Sequence, residues 1–143
     1  MTQPNVSLLS AAQSGLNELL TQSARYGGIA RSGWFEGQEG KVFFRVAQRA
    51  LPTNPLALAP VIDLANIELH EPFRGQGLFS QVLSMTEQTC GLHSRALYVE
   101  NVFVDHLHAA LLRRGYQPRT DQQPLSYFKK ASALTPPRRR RLR

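Results

Sequence analysis

The spacing of hydrophobic positions changes along the chain, and each change marks an element. From 5 to 25, Val6, Leu9, Ala12, Leu16, Leu19, Leu20 and Ala24 recur near every 3.6 residues, which predicts an amphipathic helix. Asn5 or Ser7 can cap its start and Gly27–Gly28 can stop it, with Gly15 a weak point inside. Residues 29–36, around Trp34 and Phe35, and 41–51, rich in Val and Phe, predict two strands of a hairpin joined at Gly37–Gly40. Residues 52–60 carry Pro52, Pro55 and Pro60 and read as a loop. Residues 61–69 read as a strand buried on both faces. After a loop over 70–76, residues 77–90 place Leu78, Phe79, Val82, Leu83, Thr86 and Cys90 on one helical side, and Gly91 is a natural stop. A strand over 95–100 follows. Then comes a helix over 102–114 with Val104, Leu107, Ala110 and Leu111 inward. Arg113 and Arg114 suit the negative end of its dipole, and Gly115 ends it. Residues 116–129 read as strand–turn–strand, closing on Leu125, Tyr127 and Phe128.

The order α-β-β-β-α-β-α-β-β predicts an α/β (α+β) fold with a mixed, largely antiparallel sheet of about six strands flanked by about three helices. At 143 residues the chain suits one domain, expected over 1–130, with a flexible Pro/Arg-rich tail over 131–143. Hydrophobic content of 42% and charged content of 19% predict a globular body. The formal charge is +7, of which Arg138, Arg139, Arg140, Arg141 and Arg143 supply five, leaving +2 on residues 1–137. The basic character is therefore a property of the tail.

No run approaches the roughly 18 apolar residues of a membrane helix, and MTQPNVSLL lacks a signal-peptide pattern, so cytoplasmic residence is the expectation. The single cysteine, Cys90, lies on an apolar helical stripe and reads as a core residue. Metal-ligand spacing is absent, so no metal is expected.

The stretch from Leu69 to Phe79, LHEPFRGQGLF, joins a strand to a helix and carries the strongest chemical signal. Gly75 and Gly77 let backbone approach a ligand closely. The unpaired N–H groups of the helix start and its positive dipole end make an anion seat suited to a pyrophosphate. Arg74 adds a cation that can fork onto phosphate. The stretch is neither a Walker-type loop nor a dinucleotide fingerprint, because neither spacing is present.

Arg74-Gly75-Gln76-Gly77-Leu78-Phe79 resembles the R/Q-x-x-G-x-G/A coenzyme A signature of the GNAT superfamily of acetyltransferases, with Phe79 in place of the usual small last residue. LYVENVFVDHLHAALLRRGYQP resembles that family's second region, a strand and a helix followed by Gly and an aromatic, here Gly115-Tyr116. The resemblance spans residues 41–129 and implies a GNAT-like sheet whose strands splay to admit acetyl-CoA. It implies that Ile67 and Leu69 bond the pantetheine arm. Arg74, Gly75, Gln76, Gly77, Leu78 and Phe79 would hold the pyrophosphate, and Asn101 would also lie on the cofactor.

Acetyl transfer to an amine needs a neutral nucleophile, an oxyanion donor and a proton for the leaving thiolate. Glu68 and Glu100 stand at the two strand ends that flank the reacting carbon in that family, and are candidate bases. Their structural alternatives are a solvent-facing or Arg45-paired Glu68 and a helix-capping Glu100. Asp63 lies further back and reads as structural. Family members often carry an acidic tyrosine in the last helix; here Leu111 and Leu112 occupy that place, with Tyr116, or else Tyr127, as substitute. Both tyrosines have the alternative of core-edge aromatics. His106 and His108 read as surface residues, and His70 could touch the ligand. Family members also usually begin with a strand and often two helices, whereas one helix is available here. A dimer partner could then complete the acceptor pocket.

Three functions follow. The first is transfer of acetyl from acetyl-CoA to an amine of a small molecule, a lysine or a protein N-terminus. The second is a non-catalytic protein-binding modulator on the same fold. The third is nucleic-acid contact through Arg138–Arg143, less favoured because the body shows no aromatic-interleaved basic stripe.

Overall fold

The computed structural model describes residues 5–51, 54–100, 105–119 and 126–134. Helix α1 (Leu8–Arg25) forms because its apolar stripe has a sheet to cover: Leu8, Ala12, Leu16, Leu19 and Leu20 are buried. Ser7, rather than Asn5, is the cap, its Oγ accepting from the Ser10 N–H at 3.1 Å. Gly15 serves packing, since a Cβ there would lie 2.2 Å from Cδ1 of Phe35.

Strands β1 (Arg31–Gly37) and β2 (Gly40–Leu51) form the expected antiparallel hairpin, with Trp34 opposite Phe43. Strand β3 (Asn54–Leu69) is longer than the sequence predicts, because residues 54–60 belong to it and not to a loop. The prolines are tolerated because β4 pairs only from Val61 onward, which leaves this stretch as one arm of a two-stranded ribbon with β2. A 3₁₀ turn (Glu71–Phe73) leads to α2 (Leu78–Leu92), then β4 (Ala96–Val99), α3 (Asp105–Arg113), β5 (Gln117–Arg119) and β6 (Ser126–Lys129). Gly91 does not stop α2; it is buried within the last turn. Residues 131–134, expected to open the tail, form a short helix α4 (Ala131–Leu134) whose Leu134 packs on the core. Val104, Leu125 and Arg138–Arg143 lie outside the described residues.

The six strands run in the order β1-β2-β3-β4-β6-β5, antiparallel throughout except for the parallel β3–β4 pair. That pair is the strand–helix–strand crossover expected from the sequence. On one face Val42, Phe44, Val46, Ile62, Leu64, Leu97, Val99 and Tyr127 meet the helices in the main core. On the other, Val61, Ala96, Tyr98 and Phe128 form a second, smaller cluster. Cys90 is buried in the main core, and burial pushes its thiol up, as suits an inert core residue. None of the described helices is long and apolar enough to cross a membrane.

Candidate functional site

The end of β3 creates the site. A bulge at Ala65 breaks the β2–β3 register, so Phe43 faces Asn66 while Phe44 faces Leu64. Pairing with β4 reaches Leu64 opposite Val99, with a last bond from the Glu100 N–H to the Leu64 carbonyl at 3.1 Å. β3 runs on to Leu69 beyond that point, while β4 has ended at Val99. Ile67 and Leu69, which the resemblance assigns to the cofactor, lie on this part of β3 beyond its pairing with β4.

The loop that follows is held from behind. The His70 N–H donates to the Glu39 carbonyl at 2.8 Å, and Gln76 Nε2 donates to the Pro72 carbonyl at 2.7 Å. Arg74 Nε donates to the Leu69 carbonyl at 3.0 Å, which fixes the guanidinium over the strand end. Gly75 and Gly77 take φ of 75° and 78°, the left-handed region that favours glycine. A Cβ built on either would meet nothing within 4 Å, so both face open space. Gly77 is also the N-cap of α2 and supplies no side-chain acceptor, and the first turn holds no acidic residue. The first N–H groups of α2 therefore have no side-chain cap, at the positive end of the helix dipole. Leu78 and Phe79 are half-buried there, and Phe79 packs on the core, which explains a bulky residue at that position. Asn101 lies outside the described residues.

The predicted acid–base residues are brought to different places. Glu68 is 56% exposed in its side chain and pairs with Lys41 at 3.5 Å, not with Arg45. Glu100 is held by Arg49 and, at 3.5 Å, by Arg45. It is bound to two guanidiniums, which compete for it with any substrate amine. Both carboxylates lie on the sheet face away from the helices. Tyr116 lies on the opposite, helix-covered side, 3% exposed, and donates its hydroxyl to Glu87 Oε2 at 2.9 Å. Burial and the Glu87 charge push its phenol well up, and its hydroxyl is engaged by Glu87.

Two arrangements were not foreseen. Asp63 is fully buried, pairs with Arg49 at 2.9 Å and Arg45 at 3.2 Å, and leaves Oδ1 without a partner. Burial outweighs the two arginines and lifts its carboxyl to about 6. An acid in the middle of a largely apolar strand, with Arg45 and Arg49 on one side of the neighbouring strand, was the available signal. The second is a bond between His108 Nδ1 on α3 and the Tyr127 hydroxyl on β6 at 2.6 Å. His108 is half-buried rather than a surface residue.

Arginines roof the second cluster, with Arg49 at 5.0 Å and Arg119 at 5.8 Å from the Tyr98 ring. On this face Lys41 pairs with Glu68, Arg45 and Arg49 pair with Asp63 and Glu100, and Arg119 donates to the Tyr98 hydroxyl at 3.2 Å. No group of metal-ligating side chains occurs among the described residues.

No family model matches the chain, and no curated protein matches it in sequence. Solved structures match over most of its length. A mutant AtaT toxin bound to the C-terminus of the antitoxin AtaR and acetyl-CoA is 15% identical, with 94% of this chain and 92% of that chain covered at a TM-score of 0.55. A KacTA–DNA complex is 15% identical over 92% of this chain and 89% of that chain, at 0.56. AtaT complexed with acetyl-methionyl-tRNAfMet is 17% identical over 85% of this chain and 84% of that chain, at 0.56. At these identities the likeness is one of fold, and the GNAT-like architecture expected from the sequence is the one observed.

Proposed function

We propose that this chain is a cytoplasmic acetyltransferase that moves the acetyl group of acetyl-CoA to a primary amine. The observation that carries the reading is the start of α2. Its N–H groups have no side-chain cap, Gly75 and Gly77 face open space, and the end of β3 leading to it runs beyond its pairing with β4. A diphosphate on the helix start, with a pantetheine arm along the Ile67–Leu69 edge, uses every one of these features. Arg74 would add charge to the phosphate seat.

The site binds and orients. The amine, whose ordinary pKa is near 10 when lysine-like, must lose a proton before attack, and positioning beside the thioester supplies much of the rate. A strand-edge N–H would serve the developing oxyanion. Because structures of this fold hold acetyl-CoA and an acetylated aminoacyl-tRNA, the amine of a tRNA-borne amino acid is the acceptor to try first. The arginines of the tail could meet its phosphates.

The test follows free thiol release from acetyl-CoA with aminoacyl-tRNA, a lysine peptide and a polyamine as acceptors. Amine-dependent release with matching N-acetylated product is expected. Tight coenzyme A binding with no release for any amine would favour the second reading, a binding module. That reading is favoured by Leu111 at the usual tyrosine place and by the commitment of Tyr116 to Glu87.

A further inference from the structure

We infer that the cavity between the second half of α1 and the end of α2 binds a small organic phosphate, with Arg95 as its anion receptor. This site is separate from the start of α2, because the helix runs 15 residues, roughly 20 Å, between the two. The cavity has a volume of about 590 Å³ and is lined by Asn17, Leu20, Thr21 and Ala24 of α1, and by His93 and Arg95 after α2. That volume lies in the range of small-molecule sites.

The charge of Arg95 carries the assignment. Arg95 stands one residue before the first β3–β4 pair, Val61 opposite Ala96, and is half-buried. Its Nη1 donates to the Val61 carbonyl at 3.1 Å and to the Ala47 carbonyl at 3.4 Å. These bonds pin the guanidinium but bring no negative charge. Arg45, Arg49 and Arg114 all pair with carboxylates, whereas no carboxylate pairs with Arg95 among the described residues. Burial pulls its guanidinium below the ordinary arginine range. A charge taken partly out of water without a counter-ion is costly, and a bound anion relieves that cost.

The neighbouring helix ends do not supply the missing charge. The last carbonyls of α1, those of Gln22, Ser23 and Ala24, accept from the N–H groups of Tyr26, Gly28 and Gly27. At the end of α2, the Thr89 and Cys90 carbonyls accept from the N–H groups of His93 and Arg95. Glu18 of α1 accepts from Gln22 Nε2 at 3.0 Å. The other walls divide by chemistry. Asn17 Oδ1 accepts from Gln13 at 3.4 Å, which leaves its amide group as a donor. The Thr21 hydroxyl donates to the Asn17 carbonyl at 2.9 Å, so its proton is spent. Asn17, His93 and Arg95 thus offer donors from α1, from the cap of α2 and from the start of β4. A phosphate, with three oxygens and a taste for the guanidinium fork, matches such a set. A bare phosphate would leave Leu20 and Ala24 uncovered, and the volume suits a phosphate that carries an organic body.

The test follows the Arg95 Nε–H and Asn17 side-chain amide resonances of the full chain, saturated with coenzyme A, while adenosine 5′-monophosphate, ribose 5-phosphate, inorganic phosphate or adenosine is added. Saturable shifts of both signals are expected with the two organic phosphates, about tenfold weaker binding with inorganic phosphate, and none with adenosine. Thr21→Glu sets a carboxylate on the exposed wall and leaves Arg95 in place, so the fold is kept and affinity should fall about tenfold or more. Arg95→Lys keeps the charge without the fork and should cost a similar factor. Unmoved Arg95 and Asn17 signals, shifts confined to Gly75–Ser80, or wild-type affinity in Thr21→Glu would overturn the site. Adenosine binding as well as its monophosphate would overturn the phosphate, and inorganic phosphate binding equally tightly would overturn the organic body.

Discussion

Helices α1 and α2 both lie on the same face of one sheet, yet they begin in opposite ways. At the start of α1, Ser7 Oγ takes the Ser10 N–H, Glu39 Oε1 takes the Leu8 N–H at 2.9 Å, and the Val6 carbonyl accepts from Gln38. A Cβ on Gly37 would strike the Leu8 backbone at 2.2 Å, so that end is closed by chain packed against it. At the start of α2 the cap is a glycine with no side chain, no acid stands in the first turn, and the space over Gly75 and Gly77 is open. A helix start that the protein satisfies by itself is architecture. One held rigid from behind and left unsatisfied in front is a place for an anion.

Substitutions at the two starts should therefore separate binding from stability. The largest expected effect is Gly77→Val, which forces a β-branched residue into the left-handed region and fills the anion seat. Affinity for coenzyme A by calorimetry should fall about 100-fold, roughly 3 kcal/mol, alongside a backbone-strain cost of about 1–3 kcal/mol in stability. Neither helix has an acid in its first turn, so acid-dependent stability should arise elsewhere, at Asp63. Its folded carboxyl lies near 6 against an ordinary 3.8, so the folded state holds the proton more tightly. The stability it contributes is full below pH 4 and is lost as pH rises through about 6, a change of roughly 2–3 kcal/mol. Asp63→Asn should flatten that part of the stability–pH curve, measured by chemical denaturation from pH 4 to 7.

Gly15→Ala tests the closed start from within. The added methyl overlaps the Phe35 ring, so unfolding should be easier by about 2 kcal/mol while coenzyme A affinity below the transition stays unchanged. Ser7→Ala removes the α1 cap and should cost about 1 kcal/mol of stability, again without touching affinity. The smallest effect is expected for Arg74→Gln. The exposed guanidinium contributes charge rather than shape, so affinity should drop about threefold and more so at low salt.

Much of this contrast was legible in the sequence. Periodicity placed α1, α2 and the strands, and Gly75 and Gly77 between a strand and a helix marked the open, uncapped start of α2. What escaped depended on contacts between distant segments. Prolines at 55 and 60 read as a loop because nothing local says that the stretch will be an unpaired ribbon arm on its outer side. Tyr116 looked available until Glu87, from the facing helix, took its hydroxyl. Glu100 looked like a free carboxylate until two arginines of β2 closed on it. His108 and Tyr127, separated by 19 positions, meet only when α3 and β6 are both in place.

The most direct test is to follow the backbone amide resonances of the full chain while coenzyme A is added. The account predicts saturable shifts concentrated at Gly75–Ser80 and along Ile67–Leu69, with the amides of Leu8–Ala11 unmoved. Coenzyme A that leaves Gly75–Ser80 unshifted, or that moves both helix starts alike, would contradict it.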